Sequence, residues 1–379
     1  MTECMTGRPL NIVIFGLSIS SSWGNGHATV YRALMRALCD RGHDVLFLER
    51  DVPWYAAHRD LPKSPTGRLR FYSSNEELKN RYTWDVENAD LCIVGSYVPE
   101  GCVVADWVTQ TAKGVTAFYD IDTPITLTKL AAGDTEYISP QLVPKFDLYL
   151  SFTGGPSLRL IERKYGSPRA RAFYCSVDTS LYFPEAKMSL WDMGYMGTYS
   201  ADRQGSLEKL LLEPARRKKP ARAIVAGPLY PPDLNWPANV EHVEHIAPGK
   251  HRDFYNSQRF TLNLTRADMI AAGYSPSVRL FEAAACATPI ISDYWSGLET
   301  FFIPGKEILV AATADDVVAY VSEITEGQRV EIGLRARAKI LARHTSEHRV
   351  RELESHVAEL TSGRTTTLDA ETELVGAVA

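Results

Sequence analysis

The chain has 379 residues, 45% of them hydrophobic and 23% charged, with 41 Lys and Arg against 46 Asp and Glu. That length accommodates two ordinary domains, each with its own core. A formal charge of -5 argues against a nucleic-acid partner, because neutralising phosphates needs a basic excess. No stretch approaches the roughly 18 consecutive apolar residues of a membrane span.

The opening residues, Met1 to Pro9, are polar and run straight into an apolar segment, which does not read as a signal peptide. Six cysteines at 4, 39, 92, 102, 175 and 286 form no CxxC pair and no Cys/His cluster. Neither a zinc site nor a disulfide framework is expected. The expectation is a reduced, cytoplasmic protein without integral membrane association.

Asn11 to Leu17 (NIVIFGL) is a short β-branched run. Tyr31, Leu34, Met35 and Leu38 then recur at helical spacing, and Asp44 to Leu48 is a second apolar run. Strand, helix, strand with unbroken apolar strands predicts a βαβ unit in a parallel sheet covered on both faces. Further strands are predicted at 91–94, 115–119, 147–152 and 172–175, with helices at 103–112 and 156–164 between them.

A second half begins near Pro184. Strands are predicted at 195–198, 223–226, 260–264, 289–292 and 308–310, alternating with helices at 204–213, 277–286, 314–325 and 328–343. The basic run Arg216–Lys219 follows an apolar helix pattern and reads as a solvated helix end. The chain thus divides into an N-terminal domain over 1–185 and a C-terminal domain over 186–345. A helix over 346–360 follows, then a poorly ordered tail over 361–379, where periodicity fades. The predicted fold class is α/β, two Rossmann-like, doubly wound parallel-sheet domains facing each other across a ligand cleft.

Four segments at predicted strand ends carry candidate chemistry. Gly24-Asn25-Gly26-His27 lies between the first strand and its helix. There glycines permit close backbone approach, and the helix start favours polar or anionic groups. Thr29 replaces the third glycine of a dinucleotide fingerprint, and the loop is about seven residues too long for that turn, so nicotinamide binding fits poorly despite Glu49 at the end of strand two. A histidine in a first helical turn is kept neutral and can accept a proton, or it only shapes the turn.

Asp120-Ile121-Asp122-Thr123-Pro124 follows the 115–119 strand. Its carboxylates can orient His27, bind sugar hydroxyls or hold a metal, or simply cap the next helix. Gly154 and Gly155 sit at another strand-to-helix turn, where a structural role suffices. The richest segment is Ser275-Pro276-Ser277-Val278-Arg279 through Glu282. Ser275 is the predicted N-cap and Pro276 the first helical residue, giving free N–H groups suited to a diphosphate. Arg279 adds charge and Glu282, two turns from the cap, can accept two ribose hydroxyls. An Arg279–Glu282 ion pair on a solvated face is the plainer alternative.

The stretch from Ser277 to Val310 resembles the donor half of GT-B glycosyltransferases, particularly the large retaining group and the spore-maturation CgeB-like proteins. Glu282, Pro289 and Gly297-Leu298-Glu299 fill the places of their acidic helix residue, Pro-apolar strand and Gly-x-Glu. Cys175-Ser176-Val177-Asp178 with Phe183-Pro184 resembles their interdomain signature, and GHATVYRALMRALCDRGHDVLFL their first βαβ. The likeness spans roughly residues 11–345.

The resemblance implies a nucleotide-sugar donor, UDP-sugar in particular, as co-substrate, with no resident cofactor, no metal, and an unidentified acceptor. It places Glu282 on the donor ribose. It places Ser275, Pro276, Ser277 and Arg279 at the diphosphate, with Gly197, Thr198, Tyr199, Arg203 and Arg266 beside them. Gly24, Asn25, Gly26, Asp122, Gly154 and Gly155 fall on the substrate side.

There are departures. Tyr274 stands where the retaining group carries a second Glu, and Ala287 where a glycine precedes Thr-Pro. His27 resembles the catalytic histidine of inverting enzymes, with Asp120 as its partner, so the stereochemistry stays open. Asp120-x-Asp122 also resembles the manganese motif of the single-domain glycosyltransferase fold, against which two Rossmann-like halves argue. A nucleotide-sugar 2-epimerase and a catalytically idle binding protein are the alternative readings of the same scaffold.

Overall fold

The computed structural model describes residues 8–217 and 221–376. Cys4 and the Lys218-Lys219 half of the basic run lie outside them. The first sheet has seven strands: β1 Asn11–Gly16, β2 Asp44–Arg50, β3 Arg68–Tyr72, β4 Leu91–Gly95, β5 Val115–Asp120, β6 Leu148–Ser151 and β7 Ala170–Ala172. Their spatial order is β3-β2-β1-β4-β5-β6-β7. The second has β8 Trp191–Met196, β9 Ala223–Ala226, β10 Val240–Val243, β11 Gln258–Asn263, β12 Ile290–Ser292 and β13 Leu309–Val310, ordered β10-β9-β8-β11-β12-β13. Every ladder is parallel. The strand order switches from one side of the sheet to the other between β1 and β4, and again between β8 and β11. Ligands of doubly wound sheets bind at such switch points, beyond the strand C-termini.

The unbroken apolar runs became central strands, as their burial on both faces requires: β4 and β5 are buried at every position. Two strands absent from the sequence reading, β3 and β10, are the outermost strands of one side of each sheet. Their exposure alternates or is partial, so no continuous apolar run marks them. The polar helix Asn75–Asn88 was also not predicted. It is started by Ser74, whose hydroxyl accepts the Glu77 N–H at 3.1 Å.

After β13 the chain crosses back to the first domain. The Val177 N–H donates to the His344 carbonyl at 3.1 Å, and the Ser346 N–H to the Val177 carbonyl at 3.0 Å. The final helix, Ser346–Gly376, then packs on the helix His27–Asp40, with Glu354 accepting from Arg41 at 2.8 Å. Its backbone is helical as far as Gly376, within the span read as an irregular tail, of which 377–379 lie outside the described residues. That stretch contains no proline to interrupt a helix already propagating.

Candidate functional site

The two sets of strand C-termini enclose a cleft cavity of about 350 Å³. From the first domain, the loop between β1 and the His27–Asp40 helix forms one wall. Glu49, at the end of β2, holds this loop. Its buried carboxylate accepts from the Ser18 hydroxyl (2.9 Å), the Ser20 hydroxyl (2.5 Å) and the N–H groups of Ile19 (2.8 Å) and Ser20 (3.0 Å). With its oxygens so occupied, Glu49 is unavailable to a ribose, which is the physical reason the dinucleotide reading does not fit.

Asn25 is an internal brace. Its amide donates to the Ser18 and Ser21 carbonyls at 3.1 and 3.3 Å, while Oδ1 receives the His27 N–H at 3.1 Å. Gly24, Asn25, Gly26 and His27 all border the cavity. Burial depresses the His27 imidazole below the ordinary histidine range and Arg266 depresses it further, while Asp122 partly opposes them. The ring is therefore neutral at pH 7.

The two aspartates separate. Asp120 is fully buried beneath the cleft, accepting from the Tyr149 hydroxyl at 2.6 Å and the Thr126 hydroxyl at 2.7 Å. Burial pushes its carboxyl up to about 6 against those hydrogen bonds. No hydrogen bond joins His27 to Asp120 among the described residues, and Asp122 is the carboxylate whose charge acts on His27. Asp122 borders the cavity, accepts from the Tyr97 hydroxyl at 2.8 Å and lies 3.4 Å from Arg266 Nη1. It occupies the N-cap position of the helix Thr123–Ala131 without a side-chain capping bond. Among the described residues no group of three or more metal-ligating side chains converges.

Gly154 and Gly155 do not border the cavity; they fit the domains together. The Gly154 N–H donates to the Tyr274 carbonyl at 3.0 Å, and a Cβ on Gly155 would strike the Tyr274 ring. A Cβ on Gly297 would strike the same ring. Ser275 belongs to this seam too, its hydroxyl 2.8 Å from that of Thr153. It is not the N-cap: the helix Val278–Ala285 is preceded by Ser277, two residues later than predicted. Pro276 and Ser277 do border the cleft.

Three guanidiniums converge on the second wall. Arg279 is fixed by the Met196 carbonyl (2.8 Å), Asn263 Oδ1 (2.9 Å) and the Leu264 carbonyl (3.3 Å), over the Tyr195 ring. The expected alternative, an Arg279–Glu282 pair, does not form. Arg203 donates to the Thr198 carbonyl at 2.6 Å, yet its Nε, like that of Arg266, is buried without a hydrogen-bond partner. Burial lowers the Arg203 pKa, and nearby Arg279 and Arg266 add to this. Gly197 and Thr198 border the cavity beside them. Tyr199 lies behind, its ring 5.5 Å from that of Tyr230.

Glu282 is buried at the cavity edge. Its Oε2 accepts from the Tyr255 hydroxyl at 2.9 Å and lies 3.8 Å from His251 Nδ1. Burial raises its pKa, but the polar groups of His251, Tyr255 and Tyr182 around it outweigh that and hold it below the usual carboxylate range. Sequence reading missed Tyr97, Tyr182, His245, His251 and Tyr255. His245 and His251 follow β10, itself unmarked in the sequence, so no pattern pointed to them.

With the geometry in hand, comparison with known proteins is informative. Anabaena HepE in complex with UDP-glucose superposes with a TM-score of 0.69 at 13% identity, over 93% of this chain and 100% of the other. Sucrose-phosphate synthase from Thermosynechococcus elongatus gives 0.68 at 14%, over 93% and 99%. An alpha-glucosyltransferase in complex with UDP and a 13-mer DNA gives 0.69 at 12%, over 93% and 100%. The chain has the GT-B fold. A glycosyl transferase-like family profile matches residues 203–355, most of the second domain and the start of the final helix. No curated protein sequence matches significantly. Among the described residues, no helix of this GT-B chain is long and apolar enough to cross a membrane.

Proposed function

We propose that this protein transfers a glycosyl group from a nucleoside diphosphate sugar, a UDP-sugar in particular, to an acceptor entering from the first domain. The observation that carries the reading is the convergence of Arg203, Arg266 and Arg279 on one cavity, where the buried Nε atoms of Arg203 and Arg266 make no hydrogen bond and the Arg266 Nε has only the Asp202 carboxylate 3.9 Å away. Orphaned buried donors are costly and call for an anionic acceptor. The complexes of HepE and the alpha-glucosyltransferase support a uridine nucleotide. The placement of Glu282, Pro289 and Gly297-Leu298-Glu299 supports a position beside the retaining, CgeB-like group.

In this mechanism Glu282 accepts two ribose hydroxyls and fixes the nucleoside. The first-turn N–H groups of the Val278–Ala285 helix and the three guanidiniums face the diphosphate. As the bond between the anomeric carbon and the diphosphate oxygen breaks, negative charge grows on that oxygen. Cationic groups already in place stabilise it. This is the role a divalent cation would otherwise fill, so we propose metal-independent transfer. His27, neutral and on the opposite wall, contacts the reacting sugar or acceptor hydroxyl, with Asp122 beside it.

A thermal-shift panel of nucleoside diphosphates and their sugars tests the reading, with stabilisation by UDP or a UDP-sugar expected. No stabilisation by any nucleoside diphosphate would contradict it. Turnover lost in EDTA and restored by manganese would overturn metal independence.

A further inference from the structure

At the mouth of the cleft, the first domain displays an aromatic cluster that the fold does not need for its core. Trp23, between the cavity-lining Ser22 and Gly24, stacks on His58 with centroids 4.7 Å apart and planes at 23°. Trp54 meets Trp23 edge to face at 5.1 Å and is 52% exposed. His58 is also exposed, so the cluster stands at the surface beside the cavity-lining loop.

The cluster is held in place. The Ser21 hydroxyl donates to the His58 carbonyl at 2.8 Å, the Leu61 N–H to the Ser20 carbonyl at 2.9 Å, and His58 Nδ1 lies 2.9 Å from the Trp54 carbonyl. Those serines belong to the loop gripped by Glu49, so the rings are fixed relative to the cavity. Exposed rings held rigid beside a cavity mark a ligand contact surface.

We propose that this platform selects a carbohydrate acceptor by stacking of a sugar ring on Trp54 and Trp23. The proposal rests on the glycosyl-transfer reading above. A pyranose presents a face of C–H groups with weak positive polarity, which complements the negative face of an indole, while its hydroxyls remain hydrated. The charges nearby are already paired: Arg59 with Asp51 at 2.6 Å, and Arg32 with Asp60 at 2.8 Å. Both arginines beside the cluster are thus neutralised by a carboxylate. A neutral sugar suits such a surface.

The test uses the full chain with a UDP-sugar and a panel of neutral oligosaccharides, phenolic compounds and duplex DNA as acceptors. Transfer to an oligosaccharide is expected. Trp54→Ala should raise the acceptor KM at least tenfold with kcat and UDP affinity unchanged, and Trp54→Tyr should recover most of the loss. Transfer only to a phenol or to DNA, or an unchanged oligosaccharide KM in Trp54→Ala, would overturn the proposal. Absence of UDP binding would instead defeat the glycosyl-transfer reading, so the two failures are distinguishable.

Discussion

Tyr97 donates its hydroxyl to Asp122 Oδ2 at 2.8 Å from a left-handed backbone with φ of 64°. Such a conformation is unfavourable for an aromatic residue and persists where surrounding contacts enforce it. Its ring also lies against His27, centroids 6.2 Å apart and planes at 28°. Tyr97 thus sets both the carboxylate and the imidazole of the first wall. Because Asp122 raises the His27 pKa while Arg266 lowers it, the two charges can be separated by substitution. Asp122→Asn should move the His27 titration downward and Arg266→Ala upward, followed by NMR of labelled histidine. Shifts of the opposite sign would contradict this placement.

His27→Ala should leave UDP affinity unchanged, since the imidazole stands on the wall opposite Glu282. Transfer should fall by at least about a hundredfold, the lower range for a group handling a proton in the transition state. Steady-state kinetics with whichever acceptor the panel above yields check it. A loss confined to the acceptor KM would mean that His27 only binds.

Asp120 makes a prediction of stability against pH. Its folded pKa of about 6 exceeds the ordinary 3.8. Between these values the native state binds more protons, so the contribution is full below about pH 4 and is lost as pH rises through 6. The total is on the order of 3 kcal/mol at most. Asp120→Asn removes this titration. The variant should therefore gain stability relative to the natural protein from pH 4 to 7 in urea unfolding. A difference independent of pH would contradict it.

Ala287 ends the Val278–Ala285 helix at φ of 55°. The Thr288 N–H returns to Ala283 at 3.0 Å and the Ala287 N–H to Ala284 at 2.9 Å, a Schellman closure. Glycine relieves the left-handed cost but frees the unfolded chain, leaving a net gain of about 0.5–1 kcal/mol for Ala287→Gly. Thermal unfolding should shift upward by about 2 °C. A downward shift would show that the alanine methyl packs favourably there.

The central strands and the two-domain plan were legible because double-sided burial demands unbroken apolar runs. The edge strands β3 and β10 were not, since half-wetted strands carry no such run. Glu282 was legible as a carboxylate on a small-residue helix. Its partner Tyr255 lies on a separate short helix brought near only by folding. The sequence reading gave Asp120 to His27 and Asp122 to the substrate, with nothing in the pattern to show which carboxylate is buried. Asp120 ends β5 and turns into the core toward Tyr149 on β6, whereas Asp122 emerges one turn later at the cleft. Gly154 and Gly155 were read toward the substrate, but the bareness of Gly154 leaves room for the Tyr174 hydroxyl and that of Gly155 for the Tyr274 ring across the domain seam.

The most direct test of the donor site is calorimetric titration of UDP into the natural protein and into Glu282→Ala, with Glu282→Gln as a milder companion. Each ribose bond to the ionised carboxylate contributes roughly 1.5–3 kcal/mol, so Glu282→Ala should weaken UDP binding at least tenfold, with Glu282→Gln intermediate. UDP binding of equal affinity in all three proteins, or none in the natural protein, would contradict the account.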